Sequence, residues 1–172
     1  SDVCSSDLAE QIYNVAKAVD SGKGILFLYG NYTGDIMNFD MAKDLADLED
    51  IEVRQVTAGE DVASAPKEKA DKRRGVAGIF YVYKIAGAAA EAMLSLPEVE
   101  RLARKACANV RTMGMALTPC VIPENGKANF TIAEGEMEIG MGIHGEPGIE
   151  KCSLKPADAI TASMLEPLLV DL

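Results

Sequence analysis

An apolar run at residues 24–30, GILFLYG, lies between two segments with helical spacing, and this feature restricts the possible folds most strongly. A short run of large apolar residues bounded by glycines is typical of a strand buried on both faces in a parallel sheet. A helical pattern at residues 9–24 precedes the run. A second helix at residues 31–50 and a second strand at 51–59 follow it. This alternation predicts an α/β fold with an open, mostly parallel sheet and flanking helices.

Two further helices are predicted after a polar segment. Residues 73–93 begin with strand-forming residues but continue with alanines, and their length favours a helix. Pro97 stands in the first turn of the next helical pattern, which continues to residue 113. Both helices are expected to cover the predicted sheet.

The pattern changes at Gly114, where short extended runs alternate with Pro, Asn and Gly turns. The predicted extended runs are 114–123, 129–135 and 136–145, and a helix is predicted over 157–172. We therefore predict a domain boundary near Asn109. Residues 9–108 would form part of a first α/β domain, and residues 109–172 part of a second α+β domain.

The charge of the chain excludes some partners. A formal net charge of −10 repels a phosphate backbone, and no basic stripe with interleaved aromatics is present, so nucleic acid is not expected. The longest apolar candidate for a membrane span, residues 75–93, is interrupted by Lys84 and Glu91. The one basic run, residues 67–74, is interpreted as a solvated loop rather than a docking patch.

Four cysteines and one histidine provide no usual zinc site, since no C-x-x-C spacing occurs, and no metal is expected. The cysteines are interpreted as reduced thiols in a cytoplasmic protein. Cys107 and Cys120 stand in apolar surroundings, which is typical of small buried thiols rather than nucleophiles.

Both ends of the chain have unusual features. Residues 1–8, SDVCSSDL, are also the translation of a string found in a common sequencing-library adapter, and we predict that they are an artefact outside the fold. Removing Asp2 and Asp7 leaves the chain acidic. At the other end, the last helical pattern reaches Leu172 without a Gly, Asn or Pro stop signal. The sequence therefore predicts a central fragment of a longer protein.

The loop YGNYTGD, residues 29–35, holds the first candidate site residue. Open α/β sheets bind ligands outside the carboxyl ends of their strands, where helices begin. Asp35 is the acidic residue at this place. The alternative is structural, an N-cap or a first-turn acid that interacts favourably with the helix dipole. The glycine spacing matches neither the dinucleotide motif nor the phosphate-loop motif, so no nucleotide site is predicted.

The second candidate is His144, the only histidine, within the glycine-rich segment at residues 137–151. Glycine lets a ligand approach the main chain, and histidine serves as an acid, a base or a nucleophile. The alternative is a structural histidine that hydrogen-bonds within its own loop, for example to Glu146. The residues alone leave both alternatives open.

Five segments, in this order and at similar separations, resemble the substrate-binding subunit of dihydroxyacetone kinases, the DhaK family. They are GNYTGDIMNFDMA, RRGVAG, KIAGAAAE, GMALTPCVIPENGK and EMEIGMGIHGEPG. The resemblance covers nearly all of residues 9–172. GIHGEPG and NYTGD together are highly specific, whereas the alanine-rich segments alone carry little weight.

The resemblance implies a role for both candidate residues. A histidine in the family's G-I-H-G-E-P-G motif adds to the ketone of dihydroxyacetone to give a covalent hemiaminal, and His144 matches it. Asp35 matches an aspartate that hydrogen-bonds the substrate hydroxyl, and it would help to deprotonate the hydroxyl that attacks phosphorus. The implied function is phosphoryl transfer to a short-chain ketose, with His144 holding the substrate.

Two departures from the family pattern have consequences. Gly30 stands where the family often has a substrate-contacting lysine, so this substrate-binding position leaves open a four-carbon ketose such as erythrulose. The family's G-G-S-G-H-E-P segment, with a histidine thought to accept the hydroxyl proton, is absent. The fragment alone is therefore expected to be inactive as a kinase.

The resemblance also implies partners. No cofactor is expected on this chain, and ATP or ADP with magnesium is expected on a nucleotide-binding kinase subunit or domain. A homodimer is implied for the full-length protein. A non-catalytic ketose-binding regulatory module is the remaining alternative, since members of this fold bind substrate and signal to a transcription regulator.

Overall fold

The computed structural model describes residues 9–124 and 126–172, and its first half follows the predicted alternation. The elements are α1 (Ala9–Val19), β1 (Ile25–Gly30), α2 (Thr33–Asp47) and β2 (Val53–Ala58). β1 and β2 run parallel, with Leu28 beside Val56. The predicted α/β class is confirmed, with a two-stranded parallel sheet in the described part of the chain. The predicted artefact at residues 1–8 lies outside that part.

Helices cover both faces of this sheet. On one face, Phe27 and Tyr29 are buried against alanines of α1 and α2. On the other face, Val56 is buried against α3 (Ile79–Glu91) and α4 (Leu96–Asn109). Both helices were predicted, although the structure ends α4 before residue 113. This layering is why β1 forms a continuous apolar run.

The second half contains short antiparallel strands and one helix. The elements are β3 (Met115–Ala116), β4 (Val121–Ile122), β5 (Lys127–Ala128), β6 (Glu136–Ile139), β7 (Glu150–Ser153) and α5 (Ala157–Asp171). β3, β6 and β7 form one sheet in that order, and β4 pairs with β5. The prediction of an extended run at 129–135 is wrong, because a turn closes there with Glu136 N donating to the Ala133 carbonyl. The helix predicted near the end is confirmed.

The main chain connects the two halves through Thr112. Thr112 N donates to the Glu60 carbonyl at 2.9 Å, and Val62 N donates to the Thr112 carbonyl at 3.0 Å. A third core cluster continues across this connection, since Met137 packs with Val62 and other side chains from both halves. The domain boundary near Asn109 stays a prediction.

The basic run differs from the solvated loop that the sequence predicts. Lys67–Lys72 form a 3-10 helix without a buried residue, but the two arginines that follow turn inwards. Arg73 is only 2% exposed, and the side chain of Arg74 is 14% exposed. A buried guanidinium is tolerated only with anionic partners, and both arginines have them. The local pattern does not reveal these partners, because they lie elsewhere in the sequence.

Asp171, in the last turn of α5, is the partner of Arg73. Arg73 Nη1 donates to Asp171 Oδ2 at 2.7 Å, and Arg73 Nη2 donates to the other oxygen. Arg111 Nε also donates to Oδ2, at 2.6 Å. One carboxylate therefore fixes α5 against two separate segments of the chain.

Replacing Asp171 with alanine should lower the free energy of unfolding by about 3–5 kcal/mol, because Arg73 would stay buried without a charge partner. The Arg73 hydrogen bonds, opposed by burial and aided by Arg111, hold the pKa of Asp171 well below its usual range. This contribution is complete above the ordinary aspartate pKa of about 3.9 and is lost as pH falls through the folded-state pKa. Urea unfolding at neutral and acidic pH measures both effects.

Asp158→Ala is the matched control, since Asp158 is an exposed residue in the first turn of the same helix. It should cost no more than about 1 kcal/mol, through the helix dipole alone. Equal stability of Asp171→Ala and the parent chain at neutral pH would show that the buried network contributes nothing.

The cysteines follow the prediction only in part. Cys107 is half-buried beside the α3 and α4 cluster, and burial raises the pKa of its thiol. Cys120 is exposed, so its predicted burial is wrong, because the segment just before β4 lies at the surface. Cys4 lies outside the described residues. None of the described helices has the length and apolar character that crossing a membrane requires.

Candidate active site

The first candidate loop lies at the carboxyl end of β1, and Asn31 fixes it there. The Asn31 backbone N–H donates to the carbonyl of Ala58, at the end of β2, at 2.9 Å. Its side-chain amide donates to the carbonyls of Asp71 at 3.0 Å and Arg73 at 2.8 Å. The turn into α2 thus starts from a point tied to both strands' ends and to the segment before α3.

Asp35 lies half-buried in the first turn of α2, near the positive end of the helix dipole. Tyr32 occupies the N-cap position, so the N-cap alternative for Asp35 is wrong and the first-turn alternative holds. Burial, then the charges of Asp40 and Asp35, raise the pKa of Tyr29 to about 12. Burial, then Asp35, also raise the pKa of Tyr83 on α3. The Asp35 carboxylate is therefore close enough to β1 and α3 to act on both phenols.

His144 lies in a turn after β6, and its side chain is 38% exposed. Glu146 Oε2 accepts a hydrogen bond from His144 N at 3.0 Å, and Oε1 lies 3.1 Å from His144 Nδ1. The structural alternative considered for this residue, a hydrogen bond within its loop, is thus present. A carboxylate only accepts, so this contact favours the tautomer of the neutral imidazole with its proton on Nδ1 and its lone pair on Nε2.

Glu146 keeps the charge that this arrangement needs. Burial alone would raise the pKa of its carboxyl, but hydrogen bonds from its own backbone N–H and from His144 hold the pKa below the ordinary value. An ionised acceptor beside Nδ1 favours one tautomer and one ring orientation. The hydrogen bond within the loop is therefore compatible with a nucleophilic role for Nε2 of His144, since it leaves the lone pair on that nitrogen.

Tyr32 connects the two candidate loops. Its ring meets the His144 ring edge to face, with centroids 5.1 Å apart and planes at 86°. Tyr32 immediately precedes α2 and stands three residues before Asp35. More than a hundred residues separate Tyr32 from His144 along the chain. The fold thus gathers a nucleophilic nitrogen and an acidic helix start at one edge of the sheet, groups that can add to a carbonyl and accept a proton.

Gly142 makes room for the groups that support His144. A Cβ atom at residue 142 would collide with Glu146 Oε2 and with the guanidinium of Arg74. Only glycine lets both side chains lie directly over the main chain at this place. The glycine at residue 142 is therefore required by the side chains of Glu146 and Arg74, which pack over it.

Gly30 lies under the ring of Tyr32. A Cβ atom at residue 30 would lie 3.1 Å from Tyr32 Cε2 and 3.3 Å from the carbonyl oxygen of Gly75. Any side chain here would press on the ring that contacts His144. The size of residue 30 therefore influences the wall of the candidate site.

Sequence reasoning missed two contributors to this site, Tyr32 and Arg74, and it named Glu146 only as a structural partner of His144. Tyr32 and Glu146 stand within the recognised motifs, and their positions next to Asp35 and His144 were an available signal. Arg74 had no local signal, because its contacts to the His144 loop join distant segments. Within residues 9–124 and 126–172, no group of three or more His, Cys, Asp or Glu side chains could hold a metal ion.

A cavity of about 870 Å³ lies away from these residues, at the amino ends of β1 and β2. Ser21, Glu52 and Leu96 line it, and none of the candidate site residues does. Open α/β sheets bind ligands at the carboxyl ends of their strands, so the loops of Asp35 and His144 remain the better candidate site, although this cavity lies elsewhere.

The fold and the site define a class of α/β proteins that present a histidine in a glycine-rich loop beside the carboxyl end of a parallel strand. A model of the Dak1 domain matches residues 2–172, and the chain belongs to this family. The predicted resemblance is confirmed.

Curated relatives carry names from the same family. The chain is 48% identical, over 98% of its length, to the dihydroxyacetone-binding subunit DhaK of PTS-dependent dihydroxyacetone kinase 2 from Listeria innocua, and covers 50% of that subunit. It is 42% identical, over 98% of its length, to the D-erythrulose kinase of Mycolicibacterium smegmatis, and covers 29% of that enzyme. The chain thus spans about half the length of the DhaK subunits that it matches.

A solved structure supports the fold. The dihydroxyacetone kinase from C. freundii, in complex with AMP-PNP and Mg²⁺, superposes with a TM-score of 0.87 at 33% sequence identity. The superposition covers 96% of this chain and 30% of that one. The α/β architecture is therefore shared with an enzyme whose crystal contained a nucleotide analogue and magnesium.

Proposed function

We propose that this chain is the ketose-binding part of a dihydroxyacetone kinase and that His144 holds the ketose as a covalent hemiaminal. The contact between the rings of Tyr32 and His144 carries this proposal, since it joins the two loops that resemble the family's substrate site. The names of the relatives, DhaK subunits and erythrulose kinases, agree with a short ketose as the substrate.

The hydrogen bond to Glu146 accounts for the chemistry of adduct formation. The lone pair on His144 Nε2 attacks the ketone carbon, and the carbon–oxygen π bond breaks to leave charge on oxygen. The Nδ1 proton passes to the Glu146 carboxylate, 3.1 Å away, and the ketose oxygen takes a proton from water, after which Glu146 returns its proton to solvent. The product is a neutral hemiaminal whose hydroxymethyl groups have a fixed orientation.

Asp35 is proposed to accept a hydrogen bond from the ketose hydroxyl and to promote its deprotonation for attack on phosphorus. The phosphoryl donor is ATP with Mg²⁺ on a nucleotide-binding partner subunit or domain, either bound as ATP or formed there from ADP that a phosphotransferase-system component rephosphorylates. The nucleotide analogue and magnesium in the C. freundii kinase support a donor of this kind in the family. The full-length homodimer and the cytoplasmic location stay predictions.

Carbon NMR tests the adduct directly. Dihydroxyacetone labelled with ¹³C at its carbonyl carbon should lose its ketone signal on binding and give a new signal from a tetrahedral carbon. Glycerol has no electrophilic carbon and should give no such species. A bound ketose that keeps its ketone signal would disprove the covalent mechanism.

Turnover separates the kinase from the regulatory alternative. A protein that extends this chain to the length of its relatives is mixed with a nucleotide-binding kinase subunit and tested for ketose phosphorylation. Phosphorylation supports the kinase. Adduct formation without any phosphorylation would favour a ketose-binding regulatory module.

A four-carbon ketose is a second candidate substrate, and Gly30 is the observation that favours it. Gly30→Lys should weaken erythrulose binding relative to dihydroxyacetone binding by about tenfold, because the side chain would press Tyr32 towards His144 and remove room for one carbon. The ratio of the two dissociation constants, measured by titration calorimetry, checks this effect.

Gly34→Lys is the matched control for charge. An added Cβ atom at residue 34 meets no atom within 4 Å, so this lysine brings the same charge to the same loop without crowding Tyr32. An equal change of the ratio in both variants would assign the effect to charge rather than to space.

A further inference from the structure

Arg74 is a partly buried arginine, with 14% of its side chain exposed, that lies between the core and the loop of His144. Its Nε and Nη2 atoms lie 3.0 Å and 2.8 Å from Oδ2 of Asp61, a residue with no exposed surface. Burial raises the pKa of the Asp61 carboxyl, and the Arg74 charge opposes that shift. The ion pair with Asp61 thus fixes the position of the Arg74 guanidinium in the core.

The other side of the guanidinium faces the loop. Arg74 Nη2 donates to the carbonyl of Gly140 at 3.2 Å, and Nη1 lies 3.8 Å from Glu146 Oε2. The absence of a side chain at Gly142 lets Arg74 and Glu146 meet over the main chain. A planar guanidinium has donors on several edges, so it can face Asp61, Gly140 and Glu146 at once, whereas the donors of a lysine all lie on one nitrogen.

Glu146 is thereby held from two sides. Its Oε2 atom accepts a hydrogen bond from the His144 backbone N–H and lies near the Arg74 guanidinium. The other oxygen, Oε1, therefore faces His144 Nδ1. If Arg74 were absent, the carboxylate could rotate away from the ring. The tautomer of His144 would then no longer be fixed.

We propose that Arg74, anchored on Asp61, is a positioning residue that orients Glu146 and so keeps the proton of His144 on Nδ1. This inference rests on the proposed function for its importance in catalysis, since Nε2 must carry the lone pair to attack a ketone. The orientation of the ring by Arg74 is a separate property of the chain and does not depend on any ketose.

The chain contains one histidine, so long-range ¹H–¹⁵N NMR of the uniformly labelled protein reports a single imidazole. Under conditions in which the imidazole is neutral, the parent chain should show the Nδ1–H form as the major tautomer. Arg74→Gln should make Nε2–H the major form. Asp61→Asn should shift the populations in the same direction, because it weakens the ion pair that holds Arg74 in place.

Arg74→Lys keeps a positive charge in the core and serves as the variant that preserves folding. It should still lose part of the Nδ1–H population, because a compact ammonium does not spread its donors over a planar fork and so does not reproduce the arginine geometry. Arg101→Gln is the matched control, since Arg101 forms an exposed pair with Glu98 on α4 and should leave the tautomer unchanged. Circular dichroism identifies folded variants.

A folded Arg74→Lys or Arg74→Gln variant with the parent's tautomer populations would overturn the proposal. An Nε2–H majority in the parent chain would overturn it as well. A tautomer shift in the variants, together with no ketose adduct in the parent chain, would leave the positioning role intact and reject the proposed function instead.

Discussion

Replacing His144 with asparagine should abolish the covalent ketose adduct, because an amide does not add to a ketone at neutral pH. Turnover of the complete kinase should fall by on the order of 10²-fold or more, since the ketose would lose its fixed orientation. His144 lies in an exposed turn, so the fold should remain. A crystal soaked in dihydroxyacetone shows the adduct as continuous density from residue 144 to the ketose carbon.

Thr131→Asn is the matched control, because it adds an asparagine at another exposed position of the same half of the chain. It should keep both the adduct and the turnover. Continuous density to the ketose in His144→Asn, or turnover equal to the control, would rule out the hemiaminal mechanism. Unchanged circular dichroism shows that a loss of turnover is not a loss of folding.

Asp35→Asn should lower the turnover of the complete kinase by about 10²–10⁴-fold, the usual contribution of a positioned acid or base. The amide keeps the shape of the side chain and still accepts a hydrogen bond, so ketose affinity should change much less than turnover. Stability should fall by no more than about 1 kcal/mol, through the lost interaction with the helix dipole. Steady-state kinetics with a nucleotide-binding partner separates the change in kcat from that in KM.

Asp44→Asn provides the same change of charge on the same helix, at an exposed position. Its kinetics should match those of the parent protein. If Asp35→Asn behaved like Asp44→Asn, Asp35 would have only the structural role of a first-turn acid.

The parts of the fold that sequence reasoning found are those with strong local signals. The glycine-bounded apolar run gave β1, and apolar spacing gave α1 and α4, because burial imposes a period on the sequence. The prediction at residues 129–135 failed because extended composition does not supply a partner strand. The inward turn of Arg73 and Arg74 was also missed, because the sequence of a basic run does not show whether acidic partners from other segments will bury it.

The candidate site likewise combines residues with a local sequence signal and contacts without one. His144 and Asp35 were identified by motif, and their local settings, a glycine loop and a first helical turn, agree with the prediction. Glu146 was considered only as a structural alternative, whereas in the proposed mechanism its hydrogen bond also selects the nitrogen that reacts. The contact between Tyr32 and His144 depends on the packing of the whole chain, and no local pattern encodes it.

The contact between Tyr32 and His144 also makes the two halves of the molecule interdependent. Tyr32 leads into α2, which packs in the first core cluster, and His144 follows β6, which belongs to the third. A ketose bound to His144 beside Tyr32 would bind only the folded chain and would stabilise it by RT ln(1 + [L]/Kd). Amide hydrogen exchange should then slow in α2 and β6 together. The concentration of a small metabolite would in this way set the stability of both halves together.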